Sequence, residues 1–596
     1  MTTELQSNVL AASTVKKVMP SCMIYALVQS MTFMVDTILA GHFIGGDAVA
    51  AVALGMPVIG LMISFTAMIL QGGFLKMLSH MGKSDMGGYQ RIFSIALTLT
   101  VAVDLIFVCI CFGATGAVTG ISGGARATAQ AVTYANIYIK SACLMILFFA
   151  VGSVFQLVSA SYGYQTERMI SSMVNVAVNV IISVWAVYTL DGVYKIAGLG
   201  IGSASGALAQ LITAYICMRR RKIRISYKLY PINRQNVLDG MDCIKEGLPV
   251  SVDNIMDSLS GTVVNNIILS VFTQGTAVLA FVAIIKTVSS VVRTVGRGTL
   301  YASQPLMGIL YGGRDNEGIC KTFTASLKLG IIYAVVVAAV LIILKNPILS
   351  FYGISQYKDA HIGLVLIAIS GIVSVVPFML NSAYEATHHM LLALLVAVLP
   401  DSVLYPLFIA LFSKVLGVTG IWLAMGYAFI PFFIVYYSVF ALINRQMSVP
   451  VEGLLVLKKY QNRDTAMDVS IPIESEHVSF VSEALQSFFL THGTSPRIAY
   501  VSSLCMEEIA ADYLDYRKHE GVSDRKAFMD IKAFRDEDKI EIILRNYDEP
   551  YNPLVFEREE ESFRKIGVSM VQKIASDISY SYAYHLNVVS VTIPCK

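Results

Sequence analysis

Ile362 to Tyr384 and Ile421 to Ile443 are stretches of 23 residues each without one charged side chain. About 20 apolar residues are enough for an α-helix to cross the hydrocarbon core of a bilayer. A backbone in lipid must satisfy its own hydrogen bonds, so such stretches fold as spanning helices. The same character recurs along the chain up to about Ile443. It predicts twelve spans, near 19–42, 47–72, 92–117, 134–160, 168–190, 196–218, 246–272, 277–302, 323–345, 361–385, 390–412 and 418–443. Pro57, Pro249, Pro377, Pro400 and Pro431 fall inside them. Proline in a spanning helix marks a bend that faces protein or a water-filled cavity.

The loops orient these spans, because cytoplasmic loops carry an excess of Lys and Arg. Arg219, Arg220, Arg221, Lys222, Arg224, Lys228 and Arg234 follow the sixth span with no acidic residue among them. Lys76, Lys83, Arg91, Arg168, Arg314, Lys321 and Arg445 fall on the same side. The first eighteen residues lack the short apolar core of a secretory signal. Both termini are therefore expected in the cytoplasm, and the protein in the cytoplasmic membrane. Only 14% of residues are charged and the net charge is +3, which argues for the lipid bilayer and against nucleic acid as a partner. The nine cysteines are scattered without CxxC spacing, so packing is expected of them, with no metal or disulfide role.

The chain also repeats itself. Val35-Asp36-Thr37-Ile38-Leu39 through Ala51 aligns with Val264-Asn265-Asn266-Ile267-Ile268 through Ala280 at an offset of 229. Gly82-Lys83-Ser84-Asp85 aligns with Gly312-Gly313-Arg314-Asp315 at an offset of 230. The expected fold class is an all-α polytopic membrane protein of two six-helix lobes with a soluble α+β C-terminal domain. Its parts are an N-terminal segment (1–18), an N-lobe (19–218), a basic linker (219–245), a C-lobe (246–445), a second linker (446–466) and the terminal domain (467–596). Internal repeats of this kind are common in secondary transporters.

Val35-Asp36-Thr37-Ile38-Leu39-Ala40-Gly41, followed by Gly46-Asp47-Ala48-Val49-Ala50-Ala51, resembles the opening of the multidrug and toxic compound extrusion (MATE) family. Gly247-Leu248-Pro249, Gln304-Pro305, and Gly417-Val418-Thr419-Gly420-Ile421-Trp422-Leu423-Ala424 extend the resemblance over residues 15–445. It implies an antiporter with a central cavity, driven by sodium or protons and not an enzyme.

Independently of that resemblance, a carboxylate at mid-membrane costs about 3 kcal/mol or more and marks an ion or proton path by default. Asp36 is the leading case, with a packing carboxylate satisfied by hydroxyls as the alternative. Asn175 and Asn179, four apart, project from one helix face; they can bind sodium or join helices. The resemblance places this pair in a cation site with Asp36 and with a hydroxyl matched here to Ser203. In the second lobe Asp253, Asp257, Asn265, Asn266, Gln304 and Asp401 are expected to line an acidic cavity that attracts cationic or amphipathic compounds. Arg293 and Arg297 are expected to snorkel toward the cytoplasmic surface, with pairing to those carboxylates as the alternative.

Beyond Met467 the pattern turns to alternating strands (469–473, 528–534, 539–545 and 588–593) and helices (479–490, 498–516 and 567–578). This order resembles histidine-kinase-like (GHKL) ATPases and anti-sigma factors, with eroded boxes. Asp512 stands for the Asn paired with Glu508, Asn546 for the adenine-binding Asp, and Asp548 for a Gly. Lys565-Ile566-Gly567 keeps one glycine of the phosphate loop. Each departure removes backbone access or a ligand contact, so ATP binding is not expected and a cytoplasmic protein partner becomes the domain's alternative role. The expected function is a sodium- or proton-coupled exporter of small organic compounds. The alternatives are a flippase of lipid-linked or glycan substrates and a membrane sensor.

Overall fold

The computed structural model describes residues 9–121, 128–272, 275–351, 358–447, 455, 457, 466–519, 528–536, 538–555 and 566–595. The first half of the membrane part holds α1 (Val9–Phe43), α2 (Gly46–Gly82), α3 (Met86–Gly113), α4 (Thr115–Ile121), α5 (Ala129–Ala142), α6 (Leu144–Ser161), α7 (Gln165–Thr189) and α8 (Lys195–Arg220). The second half holds α9 (Arg234–Val271), α10 (Gly275–Gly312), α11 (Asn316–Ile343), α12 (Lys345–Phe351), α13 (Lys358–Ala386), α14 (Met390–Val398), α15 (Tyr405–Leu416), α16 (Val418–Tyr427) and α17 (Phe429–Met447).

Among the described residues nine helical segments are long and apolar enough to cross a membrane, or ten with α1, which bends by 41°. The two expected spans outside this count, 246–272 and 277–302, lie within α9 and α10, 38 residues each. Asp253 and Asp257 lower the apolar character of α9, whereas α10 opens with the apolar run 275–292, whose single charged residue is Lys286.

The repeated turn has the same geometry in both halves. Asp85 caps α3 by accepting from the Gly88 N–H at 2.8 Å, and Asp315 caps α11 by accepting from the Gly318 N–H at 2.8 Å. The preceding residues, Ser84 and Arg314, have φ of 56° and 54°. A carboxylate cap is worth about 1 kcal/mol, which explains why this short motif survives in both copies.

Glycines set the distance between the halves. A Cβ on Gly72 would lie 1.8 Å from the Cys243 carbonyl oxygen, one on Gly247 1.7 Å from that of Met68, and one on Gly82 1.9 Å from that of Ile309. So α2 crosses α9 and α10 backbone to backbone, the close packing that small residues permit within membranes. Between α14 and α15, residues 399–404 form one π-helical turn around Pro400 and Asp401. Such turns re-aim side chains and gather at functional sites.

The C-terminal part is a five-stranded antiparallel sheet in the order β1-β2-β3-β5-β4, formed by β1 (Ala466–Pro472), β2 (Phe528–Arg535), β3 (Lys539–Asn546), β4 (Asp577–Ala583) and β5 (Leu586–Pro594). Its helices are α18 (Ser475–Thr491), α19 (Pro496–His519) and α20 (Ile566–Ile574). The helix expected over 567–578 ends at Ile574, and β4 follows. There Ile578, Tyr580 and Tyr582 alternate with Ser579 and Ser581, the period of a strand. Strand periodicity gives the sheet two different faces. Ile531, Ile542 and Val591 pack under the helices, whereas Phe534, Ile543 and Val588 join the core of the membrane part. The sheet is thus a middle layer between its own helices and the bundle.

Candidate functional site

Asp36 lies on α1 past the bend and is 5% exposed. The Tyr138 hydroxyl on α5 donates to one carboxylate oxygen at 2.7 Å, and Ser203 on α8 donates at 3.0 and 3.1 Å. Asn179 donates to the Ser203 oxygen at 3.1 Å and accepts from Ser183 at 3.0 Å. Gly202 and Gly206 make this network possible, since a Cβ on either would meet Ser183 or Asn175 at 1.9 and 2.6 Å. Asp36, Asn179 and Ser203 therefore come together as the sequence led one to expect. Asn175 points elsewhere, donating to Gln210 at 2.6 Å. Tyr138 was not visible in the sequence, because a tyrosine among Ala and Ile on an apolar helix carries no distinguishing spacing.

A cavity of about 360 Å³ lies between the halves, lined by α1, α2, α6, α7, α9, α10 and α13 among others. Its charged lining comprises Arg168, Arg297, Asp253 and Glu385, two positive and two negative. A second cavity of about 190 Å³ is lined by Asp253, Asp257, Asp401, Arg293 and Arg297, formally one negative charge in excess. Asp253, Asp257 and Asp401 thus share their cavity with Arg293 and Arg297, which leaves an acidic excess of one charge. Arg293 pairs with Asp401, the alternative to surface snorkelling, and both Arg293 and Arg297 line the cavity. The cause is the π-helical turn, which turns Asp401 toward α10 and offers an ion pair inside the protein.

Arg168 is 7% exposed, not the solvated loop residue its position after the fourth span suggests. Its guanidinium lies 4.0 Å from the Tyr25 ring centre and 4.9 Å from that of Tyr301, joining the two halves by cation–π contacts. Glu385, 2% exposed, accepts from Gln71 at 2.8 Å, Gln304 at 2.6 Å and Asn381 at 3.1 Å. Gln304 is thus buried as part of a latch between α2 and α13 and not as a free cavity wall. A single acidic residue directly after the apolar run ending at Tyr384 was the signal for Glu385. Asn265 and Asn266 are exposed on α9, two turns beyond Asp257.

In the C-terminal domain the expected box residues also converge, but on one another. Tyr551 donates to Asp512 at 2.7 Å and stacks on Tyr516 at 3.8 Å. Tyr513 donates to Asp548 at 2.6 Å, and Arg517 lies 3.4 Å from the same carboxylate. Asn546 accepts from Asn587 at 2.9 Å. A Cβ on Gly567 would meet the Glu508 carboxylate at 1.7 Å, so this glycine admits Glu508. Lys565 lies outside the described residues. Among the described residues no cluster of three His, Cys, Asp or Glu side chains is arranged to hold a metal ion.

Fold and site together define a multi-pass membrane protein with a central cavity between two helical halves. Residues 249–404 match the MatE family model, a stretch that runs from α9 to the π-helical turn. No curated protein matches the chain. Among solved structures, one described as "Crystal structure of MATE in complex with MaD3S" is 18% identical, with a TM-score of 0.64 over 72% of this chain and 97% of that one. Another, "Outward-facing conformation of a multidrug resistance MATE family transporter of the MOP superfamily", is 17% identical, with a TM-score of 0.64 over 74% of this chain and 97% of that one. At this identity the likeness is one of fold, and the chain has the fold of MATE transporters.

Proposed function

We propose that the protein is a cation-coupled antiporter that exports small organic compounds across the cytoplasmic membrane by alternating access of two six-helix lobes, with both termini and the C-terminal domain in the cytoplasm. The observation that carries this reading is the Asp36 network. A carboxylate 5% exposed and held by Tyr138 and Ser203 hydroxyls gains from binding a proton or a sodium ion, because burial penalises its bare charge. A change of charge state there alters the donors that tie α1 to α5 and α8, which couples ion binding to helix arrangement. The balanced lining of the 360 Å³ cavity suits amphipathic compounds carrying a local charge of either sign better than a strongly cationic class.

Transport of a fluorescent amphipathic probe into proteoliposomes, under an imposed sodium or proton gradient, tests this. Asp36→Asn is expected to abolish gradient-driven transport while leaving probe binding intact. Normal transport by Asp36→Asn under both gradients refutes the coupling role. One observation favours a second reading: Arg168, Arg293 and Arg297 line the cavities and suit the anionic headgroup of a flippase substrate. Scrambling of a labelled anionic lipid in the same vesicles separates the two. The C-terminal domain is read as a degenerate GHKL-like module whose box residues occupy each other, so that transport draws on the ion gradient and not on ATP.

A further inference from the structure

The bundle-facing side of the C-terminal sheet touches both halves of the membrane part. On the second half, Asp315 is 3% exposed and accepts from Arg545 at 2.6 Å and from Lys532 at 3.1 Å. Gly313 leaves room for the guanidinium, since a Cβ there would lie 2.4 Å from Arg545 Nη2. On the first half the hydrogen bonds join neutral groups, Ser581 with Ser84 at 3.1 Å and His585 with the Gly163 carbonyl oxygen at 3.1 Å, and the one cationic contact there among the described residues, Lys17 at 5.8 Å from the Tyr547 ring centre, is long.

Tyr584, at the tip of the β4–β5 hairpin, binds both halves at once. Its N–H donates to the Ser161 carbonyl oxygen of the first half at 3.0 Å. Its hydroxyl donates to the Ala302 carbonyl oxygen of the second half at 2.5 Å. The side chain is fully buried, with φ of 51° there and 65° at His585. Two adjacent non-glycine residues in the left-handed region persist only where their surroundings hold them. A rigid ring spanning two acceptors fixes the separation of Ser161 and Ala302, so the halves cannot part on this face while the tip is seated.

We infer that the C-terminal domain is a removable clamp that keeps the two halves closed on its own face, anchored to the second half through Asp315 and releasing the first half when that face opens. This rests on the alternating-access reading above. Charge-assisted hydrogen bonds with buried partners outlast neutral ones, so the hairpin leaves Ser84, Ser161 and Gly163 while Lys532 and Arg545 stay on Asp315. Other bound partners of the domain would act by competing for this sheet face.

The test uses the full chain in lipid. Cys243 is fully buried where α9 crosses α2 beside Gly72, so its maleimide labelling, read by peptide mass spectrometry, reports parting of the halves without any transported compound. The pair Ser84→Cys and Ser581→Cys places two thiols within disulfide reach. Oxidation is expected to lower Cys243 labelling and probe transport at least tenfold, and reduction to restore both; Ser84→Cys alone under the same oxidant is the control. Tyr584→Ala is expected to raise Cys243 labelling about tenfold. Labelling unchanged by both the disulfide and Tyr584→Ala overturns the clamp. Because labelling is independent of transport, a protein that moves no probe but shows these labelling changes would sink the transport reading alone.

Discussion

Replacing Arg545 with Met removes the shortest of the three hydrogen bonds that hold Asp315. The carboxylate keeps Lys532 at 3.1 Å and the Gly318 N–H at 2.8 Å, so it is weakened and not orphaned. Both partners are buried, with side chains 6% and 4% exposed, so solvent screening takes little away. A charge-assisted hydrogen bond contributes about 1.5–3 kcal/mol, and breaking a buried pair outright costs about 3–5 kcal/mol. With two donors left, about 2–3 kcal/mol is the expected loss of docking energy, roughly 30- to 150-fold in the docking equilibrium at 1.36 kcal/mol per factor of ten. Hydrogen–deuterium exchange of the Tyr584 amide reads it, because that N–H is bonded to Ser161 only in the docked state. Exchange in the β4–β5 hairpin should rise by that factor, while α19, packed on the sheet's other face, keeps its protection. Unchanged exchange at Tyr584 refutes the anchoring role of Asp315, and an equal rise across α19 shows unfolding of the domain instead of undocking.

Docking also depends on pH. Burial pushes Asp315 up, but Lys532 and Arg545 outweigh it and hold the carboxyl well below its ordinary value of 3.8; its contribution is present above pH 3.8 and is lost as pH falls below. Asp530, pushed up to about 6 by burial, works in the opposite sense and opposes docking as pH rises through 6, whereas burial lowers His585 from 6.5 and makes its protonation unfavourable to docking. Asp315 and His585 thus weaken docking as pH falls, while Asp530 offsets them; in Asp530→Asn, which removes the offset, hairpin protection is expected to fall between pH 7 and pH 3, and protection that rises in that variant contradicts the assignment. Gly72→Val should lower the thermal midpoint markedly, since its side chain meets the Cys243 carbonyl oxygen and overpacking costs about 1–3 kcal/mol; an unchanged midpoint would mean that α2 and α9 separate freely. Full-length protein titrated with a fluorescent ATP analogue should show no saturable binding, and micromolar affinity would mean that Tyr551 leaves Asp512 and Tyr516 readily.

Apolar run length alone determined that this chain enters a membrane, because lipid offers the backbone no alternative partner. The repeat at 84–85 and 314–315 was legible because a capped turn is local, carried by adjacent residues in both copies. Asp36 was legible for an energetic reason: a mid-membrane carboxylate is too costly to be incidental. Tyr138 and Glu385 escaped notice, and Arg168 was read as a loop residue, because each gains its meaning from a partner on another helix, such as Gln71 for Glu385, 314 positions away. The pairing of Asp401 with Arg293 was not fixed by local sequence for the same reason, as α10 supplies the arginine. In the terminal domain, alternation gave four strands of the sheet but not β4, because the helix expected over 567–578 was carried into its start. Only the assembled structure decided that Lys532, Arg545 and Tyr584, ordinary members of strands and a turn, face the membrane part. Which element covers a sheet's second face depends on surfaces folded far apart in the chain, and no local pattern records it.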